Sequence, residues 1–193
     1  IMNNISSLYN VHRLGLFGDY QNKDEDKLIK LKEIKDLNLF QVVKYKNSHE
    51  KLSNFKIDGV NFSENLKTSS NQSTRIIWMG PDNWYIFSNK NITEDLKIFN
   101  EANFAVTNLS NSRSVIELEG DLILEVLKKG TPLDVEKLKE GDCANTIYNG
   151  ITITIDVISN KPKIIRIFGL RSFGESLYHS ITDSCLEFGY KSL

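Results

Sequence analysis

The segment Trp78-Met79-Gly80-Pro81-Asp82-Asn83-Trp84 constrains the fold more than any other stretch of this chain. It holds both tryptophans and one of only three prolines, and it separates two apolar runs, Arg75–Met79 and Trp84–Phe87. Pro81 sets φ for the first corner of a turn, and Asp82 and Asn83 tolerate turn conformations, so the stretch reads as type I turn chemistry. The segment is therefore a strand, a tight turn and a second strand, with an indole at each end of the turn. By local chemistry alone, the two indoles belong to a core.

Around this hairpin the apolar spacing predicts a β-α-β-β-α-β order. Leu39–Tyr45 alternates as a strand, Ser48–Phe55 is a short helix candidate capped by Ser48, and Lys67–Thr74 is a polar, mobile loop. Thr93 caps a second helix with Glu94 and Asp95 in its first turn and Leu96 and Phe99 on one face; Phe104–Leu109 follows as a strand. The second half repeats the theme. Arg113–Leu118 is a strand, and Leu122, Ile123, Val126 and Leu127 stripe a helix that Gly130 closes. Cys143–Tyr148 and Ile151–Ile158 form a hairpin around Asn149-Gly150, and Lys163–Phe168 is a further strand. Ser172-Phe173-Gly174-Glu175 reads as a capping box opening a last helix, with Phe173, Leu177, Ile181, Cys185 and Phe188 on one face and Gly189 at its end. Residues 1–27 lack periodicity apart from the island Leu14–Gly18 and read as an arm that packs on its own domain or docks on a partner. The expected organisation is an arm at 1–27, a first half at 28–110 and a second at 111–193 within one compact unit. The expected class is α+β, two related ferredoxin-like halves.

A chain of 193 residues is long enough for a proper core. Its net charge of −1, with acids and bases interspersed, excludes an electrostatic nucleic-acid binder, which needs a basic face. No apolar run approaches the roughly 20 residues of a membrane span, and Ile1–Tyr9 lacks signal-peptide architecture. A cytoplasmic protein without membrane contacts is the expectation. Cys143 and Cys185 fit neither zinc nor CxxC spacing and read as buried thiols in a reducing compartment.

Neither common nucleotide-binding loop is present, and no nucleophile elbow. His12, His49 and His179 are scattered, without metal-ligand partners at helical spacing, and read as surface residues. Asp121, Asp134, Asp142 and Asp156 fall at turns, caps or strand positions where carboxylates serve structure. The sequence thus offers no catalytic, cofactor-binding or metal-ligating set, the profile of a binding or scaffold subunit.

Five segments, in order, carry a family resemblance. Trp78–Trp84 resembles the WLGPDEW signature of the gamma subunit of heterotetrameric sarcosine oxidase. Leu109-Ser110-Asn111-Ser112-Arg113 is similar to that family's DLSHSR, Gly130–Val135 to its GCPLDL, Cys143–Thr146 to its CAQT, and Arg171-Ser172-Phe173 to its RSF or RSY. The matches span residues 75–188. Asn83, Asn108 and Asn111 stand where the family has Glu or Gln, Asp, and His or Asp.

The resemblance implies a fold related to the folate-binding domains of the glycine-cleavage T-protein and YgfZ. It implies a non-catalytic gamma subunit of an enzyme that converts sarcosine oxidatively to glycine, yielding H2O2 and either formaldehyde or 5,10-methylenetetrahydrofolate. FAD, FMN, NAD, tetrahydrofolate and zinc would belong to partner subunits: alpha, on which this chain packs, beta and delta. The alternative is a stand-alone folate-binding, aminomethyltransferase-like protein. On either reading Trp78, Gly80, Pro81, Asp82, Trp84, Ser110, Arg113 and Arg171 stand out as structural or interface positions, the two arginines opening corresponding elements of the halves.

Overall fold

Period-two alternation of apolar residues makes strand the dominant regular element of this chain. The computed structural model describes residues 5–36 and 38–193. β1 (Gly15–Phe17) and β2 (Ile29–Glu33) precede β3 (Asn38–Lys44). A small pair, β4 (Lys56–Ile57) and β5 (Val60–Asn61), leads to β6 (Thr68–Ser70) and to the hairpin of β7 (Thr74–Gly80) and β8 (Asn83–Ser88). Then come α1 (Thr93–Leu96), β9 (Phe104–Asn108), β10 (Arg113–Glu119) and α2 (Ile123–Lys128). β11 (Cys143–Tyr148), β12 (Ile151–Asn160), β13 (Lys163–Leu170), α3 (Gly174–Cys185) and β14 (Tyr190–Ser192) complete the chain. The class is mixed α+β, mostly sheet with few helices.

The chain sorts into two units. One takes the residues through Lys35, Asn111–Glu140 and Asn145–Leu193; the other takes Asp36–Ser110 and Gly141–Ala144.

The first unit is built on a seven-stranded sheet in the order β1-β14-β2-β10-β13-β12-β11. Ile116 and Leu118 of β10, Ile165 and Ile167 of β13, and Ile153, Ile155 and Val157 of β12 share one face by alternation. That face packs with Val126 and Leu127 of α2 and with Leu177, Ile181 and Cys185 of α3, residues at helical spacing. Gly130 closes α2 because a Cβ there would lie 2.6 Å from the Tyr148 ring. Asn149 and Gly150 both have positive φ, +46° and +83°, the signature of the type I′ turn that their sequence predicts. On the other face Lys32, Glu117, Arg166 and Asp156 stand opposite one another in register on β2, β10, β13 and β12, a row of alternating charge. Glu117 contacts Lys32 at 2.8 Å and Arg166 at 2.6 Å. Burial pushes its carboxyl up, but hydrogen bonds from Lys32 and Arg166 outweigh that and hold it below the usual range.

Residues expected to form an arm belong to this sheet. β1, within the expected arm, pairs antiparallel with β14, and β2, just after the arm, lies between β14 and β10. Of the expected arm, Leu8 is buried and Phe17 stacks on Tyr190 at 5.2 Å. The division therefore falls near residue 35 as well as near 110; residues 1–4 of the expected arm lie outside the described residues. The last helix also departs from expectation. Arg171–Phe173 is a 3-10 turn, Phe173 occupies the N-cap without a side-chain bond, and Glu175 accepts from Asn10 instead of closing a capping box. Phe173 consequently points off the apolar stripe and is exposed.

The second unit is a five-stranded sheet, β6-β7-β8-β3-β9, with β4 and β5 as a separate pair. Its β3–β8, β3–β9 and β7–β8 neighbours are antiparallel. The helix expected at Ser48–Phe55 is only a 3-10 turn, Leu52–Asn54. Eight residues are too few to nucleate a helix without tertiary support, and Phe55 is drawn instead onto Phe99 at 5.4 Å and Phe104 at 5.3 Å. This unit thus lacks the first helix of the β-α-β-β-α-β pattern. Asp58 and Gly59, both at positive φ, make a tight turn between β4 and β5 that the Asp-Gly dipeptide signals. Leu96 and Phe99 are buried as their spacing predicts, although α1 is one short turn.

Candidate functional site

The Trp78–Trp84 segment is a hairpin corner. Trp78 and Trp84 are cross-strand partners, and the register shifts between Trp78 and Gly80. Asp82 has φ +55°, which excludes type I and marks type II geometry with Pro81 at the preceding position. The turn is tied to β3: Lys44 donates its backbone N–H to the Asp82 carbonyl at 2.8 Å and its ammonium to the Asp82 carboxylate at 3.1 Å. Gln41 bonds Asn83 at 3.0 Å. Trp84 is buried beside Phe62, its Nε1–H donating to the Ser63 carbonyl at 3.1 Å. Trp78 is half-buried; its Nε1 is enclosed and unbonded. Trp78, Gly80, Pro81, Asp82 and Trp84 are thus gathered in one corner of the second unit. Ser110, in the same unit, accepts the Leu39 N–H at 3.0 Å beyond the end of β9.

Polar residues of Lys67–Thr74, the expected mobile loop, have a structural role here. The Asp58 carboxylate accepts from Ser73 at 2.5 Å, Thr74 at 2.9 Å, Asn71 at 3.3 Å and Lys90 at 3.2 Å. The Ser73 and Thr74 hydroxyls, then Asn71 and Lys90, hold this carboxyl well below the usual range. The cue was the same Asp-Gly dipeptide, flanked by a Ser/Thr/Asn-rich run.

The first unit brings Arg113 and Arg171 together. Arg113 opens β10 opposite Leu170, the last residue of β13, so both arginines mark one end of the sheet. Arg113 bonds the Ser112 carbonyl and hydroxyl, each at 3.1 Å, and the Arg171 N–H reaches the same carbonyl at 3.0 Å. The Arg171 guanidinium donates to the Ile5 carbonyl. From there a turn at residues 6–11 runs beside the 171–175 segment. Asn10 donates to Glu175 at 3.1 Å, and a Cβ on Gly174 would lie 3.4 Å from Ser7. Beneath the turn Ser6 and Ser7 both donate to Glu33, Ser7 at 3.1 Å, and the Ser7 and Ser114 hydroxyls bond each other. Leu8 is fully buried. The exposed rim is apolar: Ile5 is 61% exposed, Tyr9 70%, Leu170 42% and Phe173 50%. Sequence reading found the arginines; it missed Ile5 and Tyr9 because nothing local links residues 5–9 to residues 170–173.

The reactive groups stand apart. His49 and His179 are exposed, as expected, but His12 is half-buried against Tyr178, with ring centroids 5.6 Å apart. Burial lowers its pKa, the Glu33 charge works against that, and its Nε2 is enclosed and unbonded. Both cysteines are buried and neither forms a disulfide. Burial pushes the Cys185 thiol up to about 12, which keeps it protonated. Among the described residues no three His, Cys, Asp or Glu side chains gather as a metal site, and no helix is long and apolar enough to cross a membrane.

No protein-family model matches the chain, and no curated protein matches it. Solved structures do. Heterotetrameric sarcosine oxidase from Corynebacterium sp. U-96, in complex with pyrrole 2-carboxylate, contains a chain matched with a TM-score of 0.78 at 21% identity, over 95% of each chain. The glycine cleavage system aminomethyltransferase T from Bartonella henselae is matched with a TM-score of 0.66 at 14% identity. That match covers 97% of this chain and 58% of the transferase, so this chain spans less than two thirds of the transferase's length. The fold of this chain is therefore the one shared by a sarcosine oxidase subunit and the glycine-cleavage T-protein.

Proposed function

We propose that this chain is a non-catalytic, gamma-type subunit of a heterotetrameric sarcosine oxidase. The observation that carries the reading is the fold likeness to a chain of that oxidase, at a TM-score of 0.78, joined to five ordered sequence matches. On this reading the chain packs on the alpha subunit and supports oxidative demethylation of sarcosine by the assembly. FAD, FMN, NAD, tetrahydrofolate and zinc sit in alpha, beta and delta, and the complex is cytoplasmic. The described positions of the matched motifs agree with a supporting role. The corner is a turn between β7 and β8, Leu109–Arg113 leads from β9 into β10, Cys143–Thr146 opens β11, and Arg171–Phe173 is the 3-10 turn before α3. The test is co-expression with alpha, beta and delta. The expected result is a four-subunit complex whose sarcosine oxidation falls when this chain is omitted. A fully active oxidase assembled from the other three overturns the proposal.

A second reading, a stand-alone folate-binding protein of the aminomethyltransferase kind, draws on the likeness to the T-protein. It needs a carboxylate available to a pterin. Glu33 and Glu117 are engaged by hydroxyls and cations of their own unit. Calorimetry with tetrahydrofolate decides it: saturable heat favours this reading, and none removes it.

A further inference from the structure

We infer that the rim around Arg171 in the first unit is the surface by which this chain docks on a partner subunit, and that the partner meets it with a carboxylate set in an apolar strip. The inference rests on the subunit reading above and names the surface that reading leaves open.

Four large apolar side chains, Ile5, Tyr9, Leu170 and Phe173, are between 42% and 70% exposed on adjoining segments. Isolated exposed apolar residues are ordinary on a protein surface; a group of them around a cation is not. The segments are held in register by hydrogen bonds. Arg171 reaches Ile5, Asn10 reaches Glu175, and Ser6 and Ser7 anchor the turn on Glu33. The rim is therefore pre-formed, which lowers the ordering cost of association. Its composition, Arg, Tyr and Phe beside aliphatics, is that of interface hot spots.

Charge identifies the occupant. The Arg171 guanidinium is bonded to a backbone carbonyl and is paired with no carboxylate among the described residues. The acid nearest in sequence, Glu175, accepts from Asn10. A guanidinium presents five N–H donors in a fork that suits a carboxylate in two-point contact. Enclosed by apolar side chains on binding, such a pair is shielded from water, and an unpaired Arg there would be costly. The partner must therefore supply the anion. A polyanion such as a nucleic acid or an acidic membrane would need a cationic field, which a chain of net charge −1 with Glu175 on this rim does not offer.

The test is recovery of complex from co-expression of the tagged full chain with alpha, beta and delta. Wild type is compared with Arg171→Glu, Phe173→Ser and a control, Ile98→Ser, at an exposed position of the other unit. Arg171→Glu and Phe173→Ser are each expected to lower recovery by about tenfold or more, the loss typical of a hot-spot residue. Ile98→Ser should recover like wild type. Raising salt should weaken wild-type assembly and leave the residual assembly of Arg171→Ala unchanged. Circular dichroism melts check folding; if Phe173→Ser melts early, Tyr9→Ser replaces it. Recovery of both rim variants at the wild-type level overturns the surface while leaving the subunit reading intact. Failure of wild type to recover any subunit overturns the reading and the surface together. Sedimentation of wild type with phosphatidylserine vesicles would also overturn the assignment of the occupant.

Discussion

The two units bury their sheets with different materials. The seven-stranded unit has an aliphatic face covered by α2 and α3, with isoleucine, leucine and valine repeated at period two and period 3.6. Among its described residues the five-stranded unit has no α-helix beyond α1, and its core adds a ring cluster to aliphatics such as Val42, Ile57, Ile76 and Ile86: Phe55, Phe62, Trp84, Phe99 and Phe104 pack with centroids 5.0–5.9 Å apart. The polar fittings differ as well. The first unit carries a row of alternating charge across four strands, whereas the second pins its loops to one carboxylate, Asp58. Aliphatic contacts spread over many similar residues distribute the stabilisation. A ring cluster and a carboxylate with four donors concentrate part of it, so single substitutions at those points should hurt the second unit more.

Trp84→Ala is the largest expected effect. It removes a buried indole, its edge-to-face contact with Phe62 and its bond to the Ser63 carbonyl. The expected loss is about 4 kcal/mol, the range for Trp or Phe to Ala in cores. Denaturant unfolding gives the value, and hydrogen exchange at β7 and β8 locates it. A loss no larger than that of Ile155→Val in the aliphatic core would break the contrast between concentrated and distributed stabilisation; that substitution should cost about 1 kcal/mol.

Arg166→Ala comes next. It leaves Glu117, only 6% exposed, with Lys32 alone, and it removes the cation that stands opposite the fully buried Asp156 in the ladder. Removing one member of a buried ion pair costs about 3 kcal/mol. Arg166→Lys keeps a charge but loses the guanidinium fork, and it should recover part of the stability. Full recovery would mean that the row works as simple charge balance.

The elements that local chemistry specifies were legible in the sequence. Asn149-Gly150 and the Trp78–Trp84 corner are turns whose residues dictate them, although Asp82 selects type II geometry by entering positive φ. Eight strands, β3 and β7 to β13, followed from apolar patterning; β1, β2, β4, β5, β6 and β14 did not. What the sequence hid depends on distant partners. Leu8 lies in a stretch without period because strands and helices far along the chain bury it. Residues 48–55 had helix-like spacing, but the tight turn at Asp58-Gly59 and the rings of Phe99 and Phe104 take Phe55 instead. At the candidate surface Arg113 and Arg171 were visible as positions. Their meeting required the antiparallel pairing of β10 with β13, and the Ile5–Tyr9 rim required Gly174, where a Cβ would also lie 2.5 Å from the Ser114 hydroxyl.

Acid provides the finest comparison of the units, with the smallest effect. His12, in the first unit, has its pKa lowered by burial; Glu33 opposes this and Lys35 adds to it. A base whose folded pKa lies below its unfolded value of about 6.5 binds more protons when unfolded, so the stability it contributes is complete above that value and falls as pH drops through it. Asp58, in the second unit, is an acid with a lowered folded pKa, set first by Ser73 and Thr74 and then by Asn71 and Lys90. Its contribution is complete above the unfolded value of about 3.9 and is lost only as pH falls below it. Protection of amides in β2 and α3 should therefore begin to decline between pH 6.5 and 5, while that of β6 and β7 holds until below pH 4. His12→Gln should abolish the earlier decline, and Asp58→Asn should make the later one shallower. If the amides of both units lose protection together, with or without His12, the acid response belongs to the whole chain and the two carboxyl and imidazole sites do not set it.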